Sequence, residues 1–283
     1  MTLLLQVSDA HFGTERGNVV AALQQLVREQ RPDVLLLSGD ITQRATRRQF
    51  TAARAFVEAL GVPQVVAIPG NHDIPLFNLA ARLLWPYARY RQAFGDDLEP
   101  CFSNDDLLLL ALNTTRWYRH VDGELSGAQI ERVARRLEQA PPTCWRLIVV
   151  HQPVAVTDAA DANDLLHGHE LALQRWAAAG ADVVLGGHIH LPYVVALHQR
   201  WPTLPRRLWV VQAGTALSHR VRVEAPNSVN LLRIDAAGGA GGGEGRQLTV
   251  ERWDCAAEAQ RFERVAVHRL HDDDPQRSDG PAD

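Results

Sequence analysis

The sequence predicts an α/β fold, and two patterns along the chain support this. Short apolar runs alternate with segments that carry apolar residues at helical spacing, in the order β-α-β-α-β over residues 3–68. Strands that alternate with helices pair in parallel and are joined by right-handed crossovers. After residue 190, strand-like runs follow one another with turns between them, which predicts an antiparallel second sheet.

The first elements follow from local patterns. The predicted strands are residues 3–7, 34–37 and 64–68, and the predicted helices are residues 18–30 and 47–60. Val19, Leu23, Leu26 and Val27 would form the inner face of the first helix. Gly61 suits the C-cap of the second helix, because a glycine readily adopts the left-handed conformation found there.

The middle of the chain continues the alternation. Residues 76–94 predict an aromatic helical stretch that Pro86 should kink or divide. Ser126 and Gln129 predict a capping box for a helix that ends near Gln139. The remaining predictions here are strands at residues 107–112, 146–150 and 182–185, a flexible loop at 157–163, and a helix with Leu171, Leu173 and Trp176.

The last part of the chain predicts successive strands at residues 193–197, 208–211, 228–234, 248–253 and 262–267. Residues 236–245 are rich in glycine but lack the Lys-Ser/Thr pair of a phosphate-binding loop, so we expect a flexible hairpin tip. We expect a single domain over residues 1–270 and a disordered acidic tail over residues 271–283.

Composition narrows the class of protein. The net charge of −4 argues against a nucleic-acid partner. Three widely spaced cysteines predict neither a disulfide framework nor a Cys-based zinc site. Met1 leads directly into the first strand without a basic segment, and no apolar run is long enough to cross a bilayer. We therefore expect a cytoplasmic protein with no membrane partner.

Polar side chains follow five of the predicted strands, where α/β sheets place their ligands. These residues are Asp9, His11, Asp40, Asn71, His72, His151, His188 and His190. Each motif alone is explained at least as well by a polar turn or a helix N-cap as by a metal site. Together, their carboxylate and imidazole groups suit Mn, Fe or Zn, and the set is too large for one tetrahedral ion. It suits two ions that share a carboxylate, bind a phosphoryl group and lower the pKa of a bridging water.

Five motifs resemble the blocks of the calcineurin-like metallophosphoesterases, in the order that is typical of the family. They are Asp9-Ala10-His11, Gly39-Asp40, Gly70-Asn71-His72-Asp73, His151-Gln152-Pro153 and Gly187-His188-Ile189-His190. They span about two-thirds of the chain. The residues around Asp40 and Asn71 are similar to the bacterial class III cyclic nucleotide phosphodiesterases. Close relatives often have His-His-Pro where this chain has His151-Gln152-Pro153.

The resemblance implies a four-layer α/β/β/α sandwich with two mixed sheets packed face to face. It implies that Asp9, His11 and His190 bind one ion, that Asn71, His151 and His188 bind the other, and that Asp40 bridges them. The catalytic residues would be His72, which lies beside the phosphate, and Asp73, which orients His72. The two ions would be Mn, Fe or both, with Zn as a further option.

The expected function is hydrolysis of a small phosphodiester by attack of a metal-bound hydroxide. The first expected substrate is 3′,5′-cyclic AMP, and a homodimer is left open. Alternatives are a glycerophosphodiesterase, a phosphomonoesterase, a nucleotide pyrophosphatase, or a metal-free protein-binding scaffold. Arg44 and Arg116 are candidates for contact with the phosphate. The candidates for stacking on a base are Trp85, Tyr87, Trp117, Tyr118 and His120.

Overall fold

A computed structural model describes residues 1–223, 225–235, 246–256 and 260–271. These residues form two six-stranded sheets with helices on both outer faces. The glycine-rich residues 236–245 and the tail from residue 272 onward lie outside the described residues, so the predictions of a flexible tip and a disordered tail stay predictions.

The described strands and helices have the following bounds. The strands are β1 (Thr2–Val7), β2 (Val34–Ser38), β3 (Gln64–Ile68), β4 (Cys101–Ser103), β5 (Leu107–Ala111), β6 (Trp145–Val149), β7 (Val183–Gly186), β8 (Tyr193–Ala196), β9 (Trp209–Gln212), β10 (Ser228–Asp235), β11 (Gln247–Ala256) and β12 (Arg261–His271). The α-helices are α1 (Gly17–Gln30), α2 (Arg47–Leu60), α3 (Leu79–Leu84), α4 (Ala88–Phe94), α5 (Gly127–Glu138), α6 (His169–Ala178) and α7 (Leu197–Arg200).

Both sheets are mixed. The first has the strand order β12-β11-β10-β1-β2-β3, in which β1, β2 and β3 are parallel and β10 to β12 are antiparallel. The second has the order β4-β5-β6-β7-β9-β8, in which β5, β6, β7 and β9 are parallel. The central strands are buried on both faces, which explains why their sequences are almost continuously apolar.

Three buried apolar clusters separate four layers. One packs the outer face of the first sheet against α1, α2 and α4, and another packs the second sheet against α5 and α6. The third lies between the sheets and includes Leu4, Leu36, Leu109 and Trp145. The predicted four-layer α/β/β/α sandwich is therefore confirmed.

The prediction that the strands after residue 190 form an antiparallel sheet of their own is wrong. β8 and β9 join the second sheet, and β10 to β12 extend the first sheet beside β1. Each chain segment pairs with the sheet that exposes a free edge to it, and the local pattern carries no information on that choice. Residue 197 begins the short helix α7 instead of ending a strand.

Most local predictions are confirmed. Ser126 accepts a hydrogen bond from the backbone of Gln129 in a complete capping box, and Gly61 ends α2 with a φ of 65°. The segment around Pro86 separates α3 from α4. Residues 157–163, expected as a flexible loop, instead include a 3₁₀ turn at Ala159–Asp164, and β4 was not predicted. No helix among the described residues is long and apolar enough to cross a bilayer.

Candidate metal centre

The polar side chains predicted from the strand ends come together at one end of the two packed sheets. β1, β2 and β3 deliver their carboxyl ends from one sheet, and β6 and β7 deliver theirs from the other. Hydrogen bonds tie the sheets at this end. Gln6 Nε2 donates to the carbonyl of Gly186 at 3.0 Å, and the backbone N–H of His188 donates to Asp9 Oδ2 at 3.0 Å.

The first cluster consists of Asp9, His11 and His190. Asp9 Oδ1 lies 3.2 Å from His190 Nε2 and 3.8 Å from His11 Nε2. Asp9 and His11 have no solvent-exposed surface. Because Asp9 Oδ2 accepts from Ser8 and from the backbone of His188, it is Oδ1 that faces the two imidazoles.

The second cluster consists of Asp40, His151 and His188, with Asn71 beside them. His151 Nε2 lies 3.3 Å from Asp40 Oδ1 and 3.2 Å from Asn71 Oδ1. The other oxygen of Asp40, Oδ2, lies 3.8 Å from His11 Nε2 in the first cluster. A single buried carboxylate therefore faces both groups.

The hydrogen bonds of the histidines show that the site suits cations. His151 Nδ1 lies 2.9 Å from the carbonyl of Ser38, and His190 Nδ1 lies 2.6 Å from the carbonyl of Arg220. A carbonyl only accepts, so each Nδ1 carries a proton and each ring turns Nε2 inward. The inward Nε2 atoms face carboxylate and amide oxygens, an arrangement that is repulsive unless a proton on Nε2 or a metal cation lies between them. Carbonyl partners of this kind commonly orient histidine ligands to metals.

The charges of the acids and of His151 agree with a site for cations. Burial alone would raise the pKa of Asp9, but His190 and His151 outweigh it, and the pKa is lowered. Burial likewise opposes ionisation of Asp40, yet His151 and His72 hold its pKa well below the usual range. Burial lowers the pKa of His151, but Asp40 outweighs this effect and raises that pKa to about 9. The carboxylates are thus ionised and draw positive charge into the centre.

The backbone of the centre adopts an uncommon conformation. Positive φ values are rare for residues other than glycine, because the Cβ atom crowds the following carbonyl. Of the eight such residues that the structure describes, five belong to this centre: Asp9, His11, Asp40, His188 and His190. Strained backbone of this kind costs about 1–3 kcal/mol per residue and clusters at functional sites.

Two glycines leave the space that the side chains fill. A Cβ atom at Gly70 would collide with the backbone and carboxylate of Asp40, and a Cβ atom at Gly39 would collide with the ring of His151. Gly39 also has a φ of 96°. The glycines of the two strand-end motifs are therefore required by close packing around Asp40.

His72 lies at the edge of the centre, with 20% of its side chain exposed. Its Nδ1 lies 3.0 Å from the carbonyl of Gln43, and its Nε2 lies 4.0 Å from Asp40 Oδ2 and 3.0 Å from Arg220 Nη1. By the same argument as for His151, Nδ1 donates to the carbonyl and Nε2 accepts from Arg220.

The structure corrects the expected orienting role of Asp73. Its carboxylate accepts hydrogen bonds from the backbone N–H groups of Ile41, Thr42 and Gly70 and from the hydroxyl of Thr42, at 2.7–3.0 Å. Gln43 holds His72 instead. Burial, with a further contribution from Asp40, raises the pKa of Asp73 to about 6. Asp73 thus ties the backbone that follows Asp40 to the turn at Gly70 and does not orient His72 directly.

A cavity of about 640 Å³ opens over the centre. Its lining includes five residues outside the motifs that the sequence did not single out: Gln43, Val121, Asp164, Arg220 and Arg222. Asp164 lies 3.6 Å from His188 Nε2, and Arg222 pairs with Asp161 at 2.8 Å. Asp164 ends the 3₁₀ turn at Ala159–Asp164 and the others lie in loops, without periodicity or a strand-end motif of their own, so no local signal could have identified them.

Only some of the residues predicted to contact the substrate line the cavity. Arg44 and His120 line it. The side chain of Arg116 instead bonds the carbonyls of Asn113 and Thr115, and Tyr87 bonds Thr115. Trp85, Trp117 and Tyr118 are exposed and are not among the residues that line the cavity.

Comparison with known proteins agrees with this geometry. Residues 2–192 match the calcineurin-like phosphoesterase family. This chain belongs to that family. The family match covers all five motifs, and together with the relatives described next it makes the chain a metal-dependent phosphoester hydrolase.

Two curated relatives of this phosphoesterase are bacterial. A probable cyclic nucleotide phosphodiesterase of Synechococcus sp. is 31% identical over 208 residues, which are 69% of this chain and 76% of the relative. A 3′,5′-cyclic adenosine monophosphate phosphodiesterase of Escherichia coli K12 is 25% identical over 199 residues, which are 66% of this chain and 69% of the relative.

The fold of this phosphoesterase also resembles that of a solved enzyme. A dimetal phosphatase from Danio rerio superposes with a TM-score of 0.68, covering 95% of this chain and 98% of the other. Because the two sequences are only 14% identical, this likeness shows the shared fold alone.

Proposed function

We propose that this phosphoesterase is a dinuclear-metal phosphodiesterase whose substrate is a small cyclic nucleotide, with 3′,5′-cyclic AMP first. The observation that carries the dinuclear part is the position of Asp40. Its Oδ1 faces His151 at 3.3 Å and its Oδ2 faces His11 at 3.8 Å, so one carboxylate is shared by two clusters of ligands.

The chain offers each ion a set of oxygen and nitrogen donors. Asp9, His11 and His190 would bind the first ion, and Asn71, His151 and His188 the second, with Asp40 between them. The absence of thiolate from both sets of donors favours Mn or Fe, with Zn as a further option. Two such ions, when bound, would polarise a phosphoryl group and acidify a water molecule between them.

The protein side chains would hold these groups in position. The carbonyls of Ser38 and Arg220 fix the rings of His151 and His190, and Asp73 supports the loop that carries Asp40. His72 Nε2 lies on the cavity side of Asp40, and once it has left Arg220 and taken up a proton it could donate to a phosphoryl oxygen or to the leaving oxygen.

The substrate part of the proposal is supported by the curated relatives and the cavity. Both bacterial relatives carry cyclic nucleotide phosphodiesterase names. The cavity of about 640 Å³ has room for a nucleotide, and its wall includes the exposed ring of His120 and the guanidinium of Arg44. These groups could contact a base and an anionic group.

Both sheets are required to build the centre, since Asp9, Asp40 and Asn71 come from the first sheet and His151 and His188 from the second. We therefore propose that residues 1–270 act as one catalytic domain.

The test is hydrolysis by purified protein that has been freed of metal with a chelator and then reloaded with Mn, Fe or Zn. The substrates would be 3′,5′-cyclic AMP, bis-p-nitrophenyl phosphate, a glycerophosphodiester and p-nitrophenyl phosphate. We expect two ions per chain and the highest kcat/KM with the cyclic nucleotide. A preference for the glycerophosphodiester or the monoester would contradict the substrate, and one ion per chain would contradict the dinuclear site. No bound metal and no turnover would favour a protein-binding scaffold.

A further inference from the structure

Arg220 differs from the other arginines that line the cavity. Arg222 is paired with the carboxylate of Asp161 at 2.8 Å, and Arg44 is an exposed side chain that lies over the ring of Phe77 at 5.2 Å. The guanidinium of Arg220 is half-buried and bonds only neutral groups among the described residues. Its Nη1 donates to Gln43 Oε1 at 3.2 Å and to His72 Nε2 at 3.0 Å.

The main chain around Arg220 is firmly held. Its carbonyl accepts hydrogen bonds from His190 Nδ1 at 2.6 Å and from the hydroxyl of Thr215 at 2.7 Å. Asn227 donates to the carbonyl of Ser218 at 2.7 Å, which fixes the preceding turn. The same residue thus orients a proposed metal ligand through its backbone and directs a cation into the cavity through its side chain.

A cation in this position is suited to an anion that enters from the cavity. A guanidinium presents several N–H donors in a planar fork, which matches two oxygens of a phosphoryl group, and a neutral imidazole nitrogen is a weaker acceptor than a charged oxygen. The Nη1 atom is 3.0 Å from His72 Nε2, and that nitrogen is 4.0 Å from Asp40 Oδ2, so the guanidinium lies next to the proposed two-ion site.

We propose that Arg220 binds a non-bridging oxygen of the substrate phosphoryl group. This proposal rests on the proposed phosphoester hydrolysis at the same site. The bound oxygen replaces His72 as the acceptor for Nη1, and His72 Nε2 is then free to face the substrate. Arg220 therefore couples occupation of the phosphoryl site to the release of His72.

The test compares the Arg220→Gln variant with wild type by two readouts. The first is the Kd of inorganic phosphate, measured by titration calorimetry on Mn-loaded protein. The second is the KM for bis-p-nitrophenyl phosphate. We expect both to rise about 10- to 100-fold, the usual effect of losing a hydrogen bond to a charged group. Metal content should equal that of wild type, because the backbone carbonyl that holds His190 is retained.

Two controls separate an anion-binding role from a structural one. The Arg28→Gln variant removes an exposed arginine of α1 that does not line the cavity and whose guanidinium also bonds a neutral amide, Gln25 Oε1 at 2.7 Å, and its Kd for phosphate should stay within about threefold of wild type. In an Arg220→Ala variant, added guanidinium ion should restore part of the lost phosphate affinity, whereas tetramethylammonium at equal ionic strength should not.

The outcomes keep this proposal separate from the proposed substrate. If wild-type protein hydrolyses bis-p-nitrophenyl phosphate but not cyclic AMP, the proposed substrate is wrong, while the phosphate titration still tests Arg220. If Arg220→Gln binds phosphate as tightly as wild type, the anchor role of Arg220 is overturned even where hydrolysis of cyclic AMP is established.

Discussion

Asp40 and His151 face each other across 3.3 Å at the meeting point of the two sheets. His151 donates its Nδ1 proton to Ser38, so its Nε2 points at the Asp40 carboxylate. A buried carboxylate and an imidazole nitrogen this close need a positive charge between them, either a proton on Nε2 or a metal ion that replaces it. The shared end of the sheets therefore attracts cations.

The first prediction is that Asp40→Ala abolishes Mn-dependent hydrolysis. Both clusters lose a ligand, and losing the charge stabilisation that metals provide costs several kcal/mol, or about a thousandfold or more in kcat. Turnover of bis-p-nitrophenyl phosphate and metal content per chain measure the effect. Asp105→Ala is the matched control, because it removes an exposed carboxylate that belongs to neither cluster. It should leave the turnover and the metal content unchanged. Near-normal turnover in Asp40→Ala would contradict the bridging role.

The second prediction is that His72→Ala lowers kcat by about two to four orders of magnitude, the usual scale for loss of a group that transfers a proton. The metal content should remain that of wild type, because the ring of His72 lies at the edge of the centre. The measurement is steady-state kinetics alongside metal analysis. An unchanged kcat would exclude a catalytic role, and a loss of metal would instead identify His72 as a ligand.

The third prediction concerns the loop that carries Asp40. Asp73→Asn keeps the shape of the side chain but turns an N–H₂ group towards backbone N–H donors that both carboxylate oxygens now satisfy. Leaving one or two buried donors unpaired should lower the free energy of unfolding by about 2 to 5 kcal/mol. Urea denaturation with and without Mn measures this change.

A matched control for Asp73→Asn is available at Asp33. Its Oδ2 accepts from the backbone of Leu3 at 2.8 Å, and the side chain is exposed. An asparagine oxygen can make the same bond, so Asp33→Asn should change stability by less than about 0.5 kcal/mol. Equal effects at the two positions would mean that Asp73 has no special role in the loop.

The fourth prediction concerns the departure from the family pattern at Gln152. Its Oε1 accepts from the hydroxyl of Thr114 at 2.6 Å, and its Nε2 donates to the carbonyl of Val121, a residue of the cavity wall, at 3.1 Å. Gln152→Ala should loosen this wall and raise KM by about 3- to 10-fold, the scale of one or two neutral hydrogen bonds. The kcat and the metal content should stay close to wild type. A fall in kcat without a change in KM would contradict a role in the wall.

The proposed ligands could be predicted from sequence because each follows a buried strand directly. A short apolar run such as residues 34–37, with Pro32 before it and Gly39 after it, is typical of a buried strand, and the Gly39-Asp40 motif lies at the carboxyl end of that strand. Parallel strands bring such ends together, so the pattern of single strands was enough to predict that Asp9, Asp40 and Asn71 share an edge.

The role of Asp73 could not be predicted in this way. The resemblance to the family implied that Asp73 orients His72, its neighbour in the chain. The 3₁₀ turn at Asn71–Asp73 instead turns Asp73 inward, to the loop after β2, and leaves His72 at the cavity. Neighbours in sequence point in different directions once the backbone turns.

The sequence by itself determined most of the strands and helices and the oxygen and nitrogen groups at the strand ends, because these depend on local periodicity and on residues next to one another. Only the tertiary structure decided which sheet the last five strands join, how Arg220 reaches His72 and which loops enclose the cavity. Those features depend on edge pairing and on contacts between distant residues, such as that of Arg220 with His72, 148 positions away, for which no local pattern encodes the partner.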